Sequence, residues 1–289
     1  MLRRLVRLPS ARLGFALFSA ILLLGVFGPR LAPHSPLAGS DDILKHPSGA
    51  HLLGTDYLGR DVLSRLLCGS PVSVFGAVLV AFIALFLGVL PGILSVYLGW
   101  AFEWLTLRFF DALIALPFLL FAVSMTALLG NGIMQAMAAV GILVAPATYR
   151  VSRAAALSVA RSQYVESAIL SGATTAWIIR KHVWSKVLPP IVVALTGAMG
   201  HGMVVVASLT FLGIGLPPPA PSWGGLLASD LGYLSYRPYA PIFPTFLIVV
   251  TVWALNLLAD AIRDVAGESG RLLLDDKRSA SQRLAAKSV

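Results

Sequence analysis

Residues 112–149 run for 38 positions without a formal charge. That is well beyond the roughly 20 apolar residues one helix needs to cross a hydrocarbon core. The run contains one strong break, Gly130-Asn131-Gly132, made of turn-forming residues. Two consecutive membrane spans, the third and fourth, are therefore predicted here, and the bilayer is the solvent both require. Four more stretches belong to the same class. Residues 13–29 are uncharged and follow Arg3, Arg4, Arg7 and Arg12. This pattern has the look of a secretory signal, but no small-residue cleavage site follows, so a retained first span is expected. Residues 72–102 form the second. Residues 187–229 contain the Pro217-Pro218-Pro219 breaker, which should end the fifth span near Gly215. Residues 241–259 form the sixth.

The composition fits this reading. The chain is 57% hydrophobic and 12% charged, with mean hydropathy +0.84, whereas a soluble domain is about a quarter charged. The single cysteine, Cys68, has no internal disulfide partner and reads as a small packed residue. Pro91, Pro117, Pro146 and Pro244 lie in or beside spans, as a bundle with a polar interior tolerates.

The net charge of +9 is a topology signal. With six spans both termini share one side, and 17 of the 22 Lys and Arg fall there: four in the amino-terminal tail, Arg108, six within 150–186 and six from Arg263 onward. The other side holds Lys45, Arg60, Arg65 and Arg237, with Arg30 at the boundary. Basic loops stay in the cytoplasm, so both termini and the 150–186 loop are expected there. No basic, aromatic-interleaved element remains for nucleic acid.

The basic loop reads YRVSRAAALSVARSQYVESAILSGATTAWIIRKHVWSKVLPP from Tyr149. Arg150, Arg153 and Arg161 among alanines suggest that the fourth helix projects beyond the bilayer. Small residues at Ser167, Ala168, Ser171, Gly172 and Ala173 let a backbone lie close to another surface. Gly172 sits where a helix cap or bend is expected. Tyr164, Ile169 and Trp177 have the size to fill a partner's groove. The reading is a docking element.

Glu166-Ser167-Ala168, three residues, then Gly172 and an apolar-basic stretch resembles the EAA loop of ABC importer permeases. Ser167 stands where that motif usually has alanine, and Ser185 where it ends in proline. Two more blocks are similar to dipeptide/oligopeptide/nickel permeases of the "C" type: HLLGTDYLGRDVLSR at 51–65, and ASLTFLGIG at 207–215 followed by Pro221-Ser222-Trp223-Gly224. LNLLAD at 255–260 with Arg263-Asp264 resembles the exit of that family's last span. The resemblance covers about residues 13–265.

The resemblance implies an all-α integral membrane protein of the bacterial inner membrane, a six-helix type I importer bundle with cytoplasmic termini. Its parts would be a tail at 1–12, a first helix at 13–31, an extracytoplasmic segment with an amphipathic helix at 32–71, a five-helix core at 72–262 and a tail at 263–289. Tyr164, Val165, Glu166, Ser167, Ala168, Ser171, Gly172, Ala173 and Arg180 would form the coupling loop. Its partners would be a homologous second permease, two ATPase domains, an extracytoplasmic binding protein and membrane lipid. ATP and magnesium would bind on the ATPases, and no cofactor or metal on this chain. Short peptides are the leading cargo, nickel chelates or haem the alternatives.

Gly54-Thr55-Asp56 has turn or N-cap chemistry and introduces Val62, Leu63, Leu66 and Leu67 at helical spacing. A helix lying at the outer interface would bury these and expose Arg60, Asp61 and Arg65. Tyr233, Tyr236 and Tyr239 suit headgroup anchoring. His201, between Gly200 and Gly202, is the one titratable mid-span residue and so a pathway candidate, with Met203 and Ser208; a neutral histidine bonded to a neighbouring helix is the plainer reading. Glu103, Arg108 and Asp111 read as solvated or capping charges around a short connection.

The chain has no Gly-x-x-x-x-Gly-Lys-Ser/Thr loop for phosphates, no Cys/His cluster for closed metal ligation and no Gly-x-Ser-x-Gly elbow. A membrane enzyme is disfavoured on that ground. An ion-gradient-driven transporter, the rival of another class, would show mid-span carboxylates or repeated broken helices, and no span has a central carboxylate.

Overall fold

The computed structural model describes residues 8–130 and 132–287, with side chains for all of these except Ser185 and 268–287. Arg3, Arg4, Arg7 and Asn131, together with the side chains of Ser185 and of the tail beyond Gly267, lie outside the described residues.

The described residues fold into helices joined by irregular segments: α1 (Pro9–Leu31), α2 (Val62–Leu94), α3 (Trp100–Ile114), α4 (Phe118–Leu129), α5 (Ile133–Ala160), α6 (Gln163–Leu170), α7 (Thr175–Ile178), α8 (Trp184–Phe211), α9 (Trp223–Leu231) and α10 (Ile242–Lys287). Helices α1, α2, α5, α8 and the first part of α10 are long and apolar enough to cross a membrane. Helices α3 and α4 meet at 98° across a short break and pass the same test as a pair, so counting them as one span gives six. Backbone groups must be satisfied within the segment when no water is present, which is why apolar sequence of this kind folds as helix.

Helix α2 occupies the centre and packs on α1, α5 and α8; α10 closes the ring between α8 and α1. One core layer joins Val80 and Ala84 of α2 to Met137 and Val140 of α5, Ala122 of α4 and Leu209 of α8. A second joins Ile21, Val74, Met203, Trp223 and Leu255. Close approach depends on small residues: a Cβ on Gly202 would stand 2.7 Å from Val80 Cγ1, so the glycine lets α8 and α2 touch, as expected for lipid-embedded helices. Phe15, Leu23, Phe82 and Trp253 face outward, which costs nothing where the surroundings are hydrocarbon.

Two helix extents and one set of exposures differ from the sequence reading. Helix α2 begins at Val62 rather than near residue 72, because the 62–67 stretch is its first turns and not a separate interfacial helix. Its N-cap is Asp61, whose Oδ2 accepts the Ser64 N–H at 2.7 Å. The expected exposure of Arg60, Asp61 and Arg65 is reversed: they are 3%, 2% and 5% exposed. Finally, Glu103, Arg108 and Asp111 belong to α3 and not to a connection. Glu103 pairs with Arg153 and Asp111 with Arg150 at 2.9 Å, tying α3 to the lower part of α5.

The segment between α1 and α2 is held by charge rather than by regular structure. Asp56 accepts the backbone N–H of Leu58 and Arg60 on Oδ1 at 2.9 and 3.0 Å, and Arg60 Nε on Oδ2 at 2.8 Å. Arg65 Nη1 donates to the Pro36 and Pro219 carbonyls at 2.9 and 3.3 Å. Arg237 donates to the carbonyls of Thr55 and, at 2.7 Å, Leu53. The segment between α1 and α2 is thus pinned to the loops flanking α9. There Trp223 is fully buried and gives Nε1–H to the Leu66 carbonyl at 3.1 Å. Of the three tyrosines, Tyr233 stacks on Tyr57 at 4.9 Å and Tyr239 bonds His46 Nδ1 at 3.0 Å, while Tyr236 is exposed.

Candidate functional site

The 150–186 loop folds as a short helical hairpin under the bundle. Helix α5 continues past Arg150 and Arg153 to Ala160, then turns at Arg161-Ser162 into α6. Glu166 lies in the first turn of α6, where a carboxylate is favoured by the helix dipole. The helix ends in a Schellman motif: the Ala173 N–H reaches the Ala168 carbonyl at 3.0 Å and the Gly172 N–H the Ile169 carbonyl at 2.9 Å. Gly172 adopts φ +81°, a left-handed conformation that only glycine takes at little cost. Thr174 then caps α7 by accepting the Trp177 N–H.

The hairpin has one anchored side and one open side. Val165 is 1% exposed and packs with Val89 and Ile93 of α2, Val159 of α5, Ile178, and Val187 of α8. That contact joins α6 to the adjoining ends of three spans. Outward, Leu170 is 85% and Ile169 57% exposed, with Tyr164 and Trp177 about half so. An open recess is lined by Tyr164, Ser167, Ala168, Ser171, Gly172 and Trp177, and Arg180 borders a second with Trp177 and Lys181. His182 contacts the rings of both Tyr164 and Trp177, at 5.6 and 5.1 Å. Exposed large apolar groups beside basic ones, outside the spans, mark a surface for contact with another protein or with the membrane. Every loop residue singled out in the sequence lies on this hairpin, with Val165 as its root, Ala168 and Ala173 packed partly against the same cluster, and the others more exposed.

A second surface runs along α8. His201, Val204, Ser208 and Phe211 recur at helical spacing on one exposed face. Beside them, Leu119, Leu227, Thr245 and Ile248 complete one groove. His201 closes another with Phe118, Ala147 and Gly197, and its ring meets Phe118 edge-on at 5.7 Å. Its described neighbour is thus an aromatic face on α4 and not the hydrogen-bonding partner anticipated. Met203 points the opposite way and is fully buried in the core, so it does not share this face.

A cluster not visible in the sequence lies at the start of α2. His34, His51 and Asp61 place one ligand-type atom each within 4.8 Å of one another. His51 Nδ1 bonds Asp61 Oδ1 at 2.9 Å. Burial by itself would raise the Asp61 pKa, but bonds from Ser64 and His51 hold it below the usual carboxylate value. The three residues lie 10 to 27 positions apart in irregular sequence, so no local spacing announced them.

Comparison with known proteins agrees with this architecture. Residues 84–267 match the family described as binding-protein-dependent transport system inner membrane component. A putative peptide transport system permease of Brucella suis is 36% identical over 264 residues, 91% of this chain and 89% of that protein. A probable D,D-dipeptide transport system permease of Escherichia coli K12 is 34% identical over 263 residues, 91% of this chain and 86% of the relative. A glutathione transport system permease of Pectobacterium atrosepticum is 36% identical over 225 residues, covering 78% and 74%. Among solved structures, the MetNI methionine ABC transporter in an inward-facing conformation contains a chain with TM-score 0.59 and 20% identity, covering 71% of this chain and 96% of that one. At that identity the likeness is one of fold.

Proposed function

The chain belongs to the binding-protein-dependent transport system inner membrane component family, and from that premise we propose that it forms half of a translocation pathway for short peptides. A second, related permease would complete the pathway along the exposed face of α8. ATPase subunits carrying ATP and magnesium would seat the α6–α7 hairpin in a cleft on the cytoplasmic side, and an extracytoplasmic binding protein would deliver cargo to the other. Both termini would be cytoplasmic.

The observation that carries this reading is the two-sidedness of the hairpin. An element rooted by Val165 in three spans, yet presenting Leu170, Ile169, Tyr164 and Trp177 outward, transmits force from a partner to the bundle. A loop that merely joined two helices would not need exposed apolar groups of that size. Closure of the ATPases would push on the hairpin, tilt the inner ends of α2, α5 and α8, and open the pathway alternately to the two sides. Peptide cargo is supported by the names of the relatives, which include peptide, D,D-dipeptide and glutathione permeases.

Reconstitution of the assembled transporter in vesicles tests this. ATP inside the cytoplasmic face should drive uptake of a labelled dipeptide only when the binding protein is present. Uptake driven by an ion gradient without ATP would overturn the proposal.

A further inference from the structure

From the cluster at the head of α2 we infer that His34, His51 and Asp61 bind one divalent transition-metal ion, with Zn2+ as the best-suited occupant. Two imidazoles and a carboxylate are a borderline N/O donor set of the kind that takes Zn2+ and its neighbours in the series rather than Mg2+ or Ca2+. The three donor atoms lie within 4.8 Å of one another. Ligands around one tetrahedral ion with bonds of about 2.1 Å sit roughly 3.4 Å apart, so a ring movement on the order of 1 Å completes the site. The group able to make that movement is the exposed one: the His34 side chain is 43% accessible, against 15% for His51 and 1% for Asp61.

The surroundings hold the donors in place. Asp61 Oδ2 is occupied by the Ser64 N–H and hydroxyl at 2.7 and 2.6 Å, which fixes the carboxylate and leaves Oδ1 directed at His51. The same Ser64 Oγ accepts the His34 backbone N–H at 3.0 Å, so one residue sets the positions of both outer ligands. The rings of His34 and His51 lie 4.8 Å apart, tilted by 39°. His34 Nδ1 stands 3.8 Å from Asp61 Oδ2, too far for a hydrogen bond. Helix capping accounts for Asp61 and a single bond accounts for His51, but neither gives His34 a role. An ion does: it takes one nitrogen from each neutral ring and Oδ1 of the carboxylate, each imidazole keeping its one proton on the other ring nitrogen, and leaves a fourth position open to water. Bound there, it ties the chain leaving α1 to the first turn of α2 and so staples the outer segment to the bundle.

The full-length chain, purified through a tag without histidines and held in nanodiscs, is titrated with Zn2+ while binding and thermal unfolding are followed. One equivalent should bind and raise Tm with the logarithm of the free-ion excess. His34→Ala should weaken binding by at least about tenfold, the loss caused even by residues that only orient a ligand, with no change in Tm when metal is absent. Asp61→Asn preserves a capping oxygen and should lose binding while folding. His46→Ala serves as the control and should bind as before. Absence of a saturable equivalent, or one equivalent that survives the His34→Ala, His51→Ala double change, would overturn the assignment.

Discussion

The carboxylate of Asp56 receives the guanidinium of Arg60 at 2.8 Å, with the two side chains only 7% and 4% accessible. Arg65 lies 3.5 Å from the same carboxylate oxygen, so one buried anion serves two buried cations. A pair of this kind contributes little net stability when intact, yet its disruption strands charge away from water. Replacing Asp56 by alanine should therefore cost about 3–5 kcal/mol, read as a large fall in the unfolding temperature of the detergent-solubilised chain. Asp56→Asn keeps an oxygen for the Leu58 and Arg60 amides and should fall between alanine and the parent. Equal melting of all three would show that the arginines find other partners.

Leu170 supplies the cleanest test of the docking surface, because at 85% exposure it contributes almost nothing to the fold of the isolated chain. Leu170→Glu should change folding stability by no more than about 0.5 kcal/mol, as surface substitutions generally do. In the assembled transporter it should lower ATP-driven uptake by about tenfold or more, the effect of losing a central apolar anchor of roughly 1.4 kcal/mol or greater. Unaltered uptake would mean that the partner grips another part of the hairpin.

Orientation follows from charge and can be measured directly. Ser171 is exposed on the hairpin, so with Cys68 replaced by serine, a Ser171→Cys variant should react with a membrane-impermeant maleimide only after the cytoplasmic side is opened. Reaction in intact cells would invert the topology that the positive charges imply.

What was legible before the structure was whatever depends on neighbours in sequence. The turn at Gly172 could be read because a Schellman ending needs glycine at that one position, and the end of α8 could be read because three prolines follow it closely. The burial of the charges of 54–65 escapes the sequence for the opposite reason. Arg65 is satisfied by the carbonyls of Pro36 and Pro219, 29 and 154 positions away, and no periodicity reports partners at such distances. The extent of α3 is hidden too: Glu103, Arg108 and Asp111 read as a solvated connection, whereas all three lie along a helix, where Glu103 and Asp111 pair with Arg153 and Arg150. In the hairpin, the sequence identified the segment but not its root, since the burial of Val165 depends on where α2 and α8 end.

Asp230 gives the region around α9 a dependence on acidity whose sign follows from its burial. Burial on α9, first among the causes, raises its pKa; Arg237 opposes this, Asp56 adds to it and Arg65 opposes it, leaving a value of about 6 against an ordinary 3.8. The folded chain therefore takes up this proton more readily than the unfolded one. Stability from this group is fully present below pH 3.8 and is lost as pH rises through about 6. Asp61 shifts the other way, so its contribution changes only below the ordinary carboxylate range and does not mask the effect. The unfolding temperature should thus decline between pH 3.8 and about 6 in the parent, and Asp230→Asn, which cannot ionise, should flatten that decline. Because the asparagine also withdraws a negative charge from Arg237 and Arg65, the slope with pH and not the absolute temperature is the quantity to compare. Parallel slopes in the two proteins would assign the titration to another group.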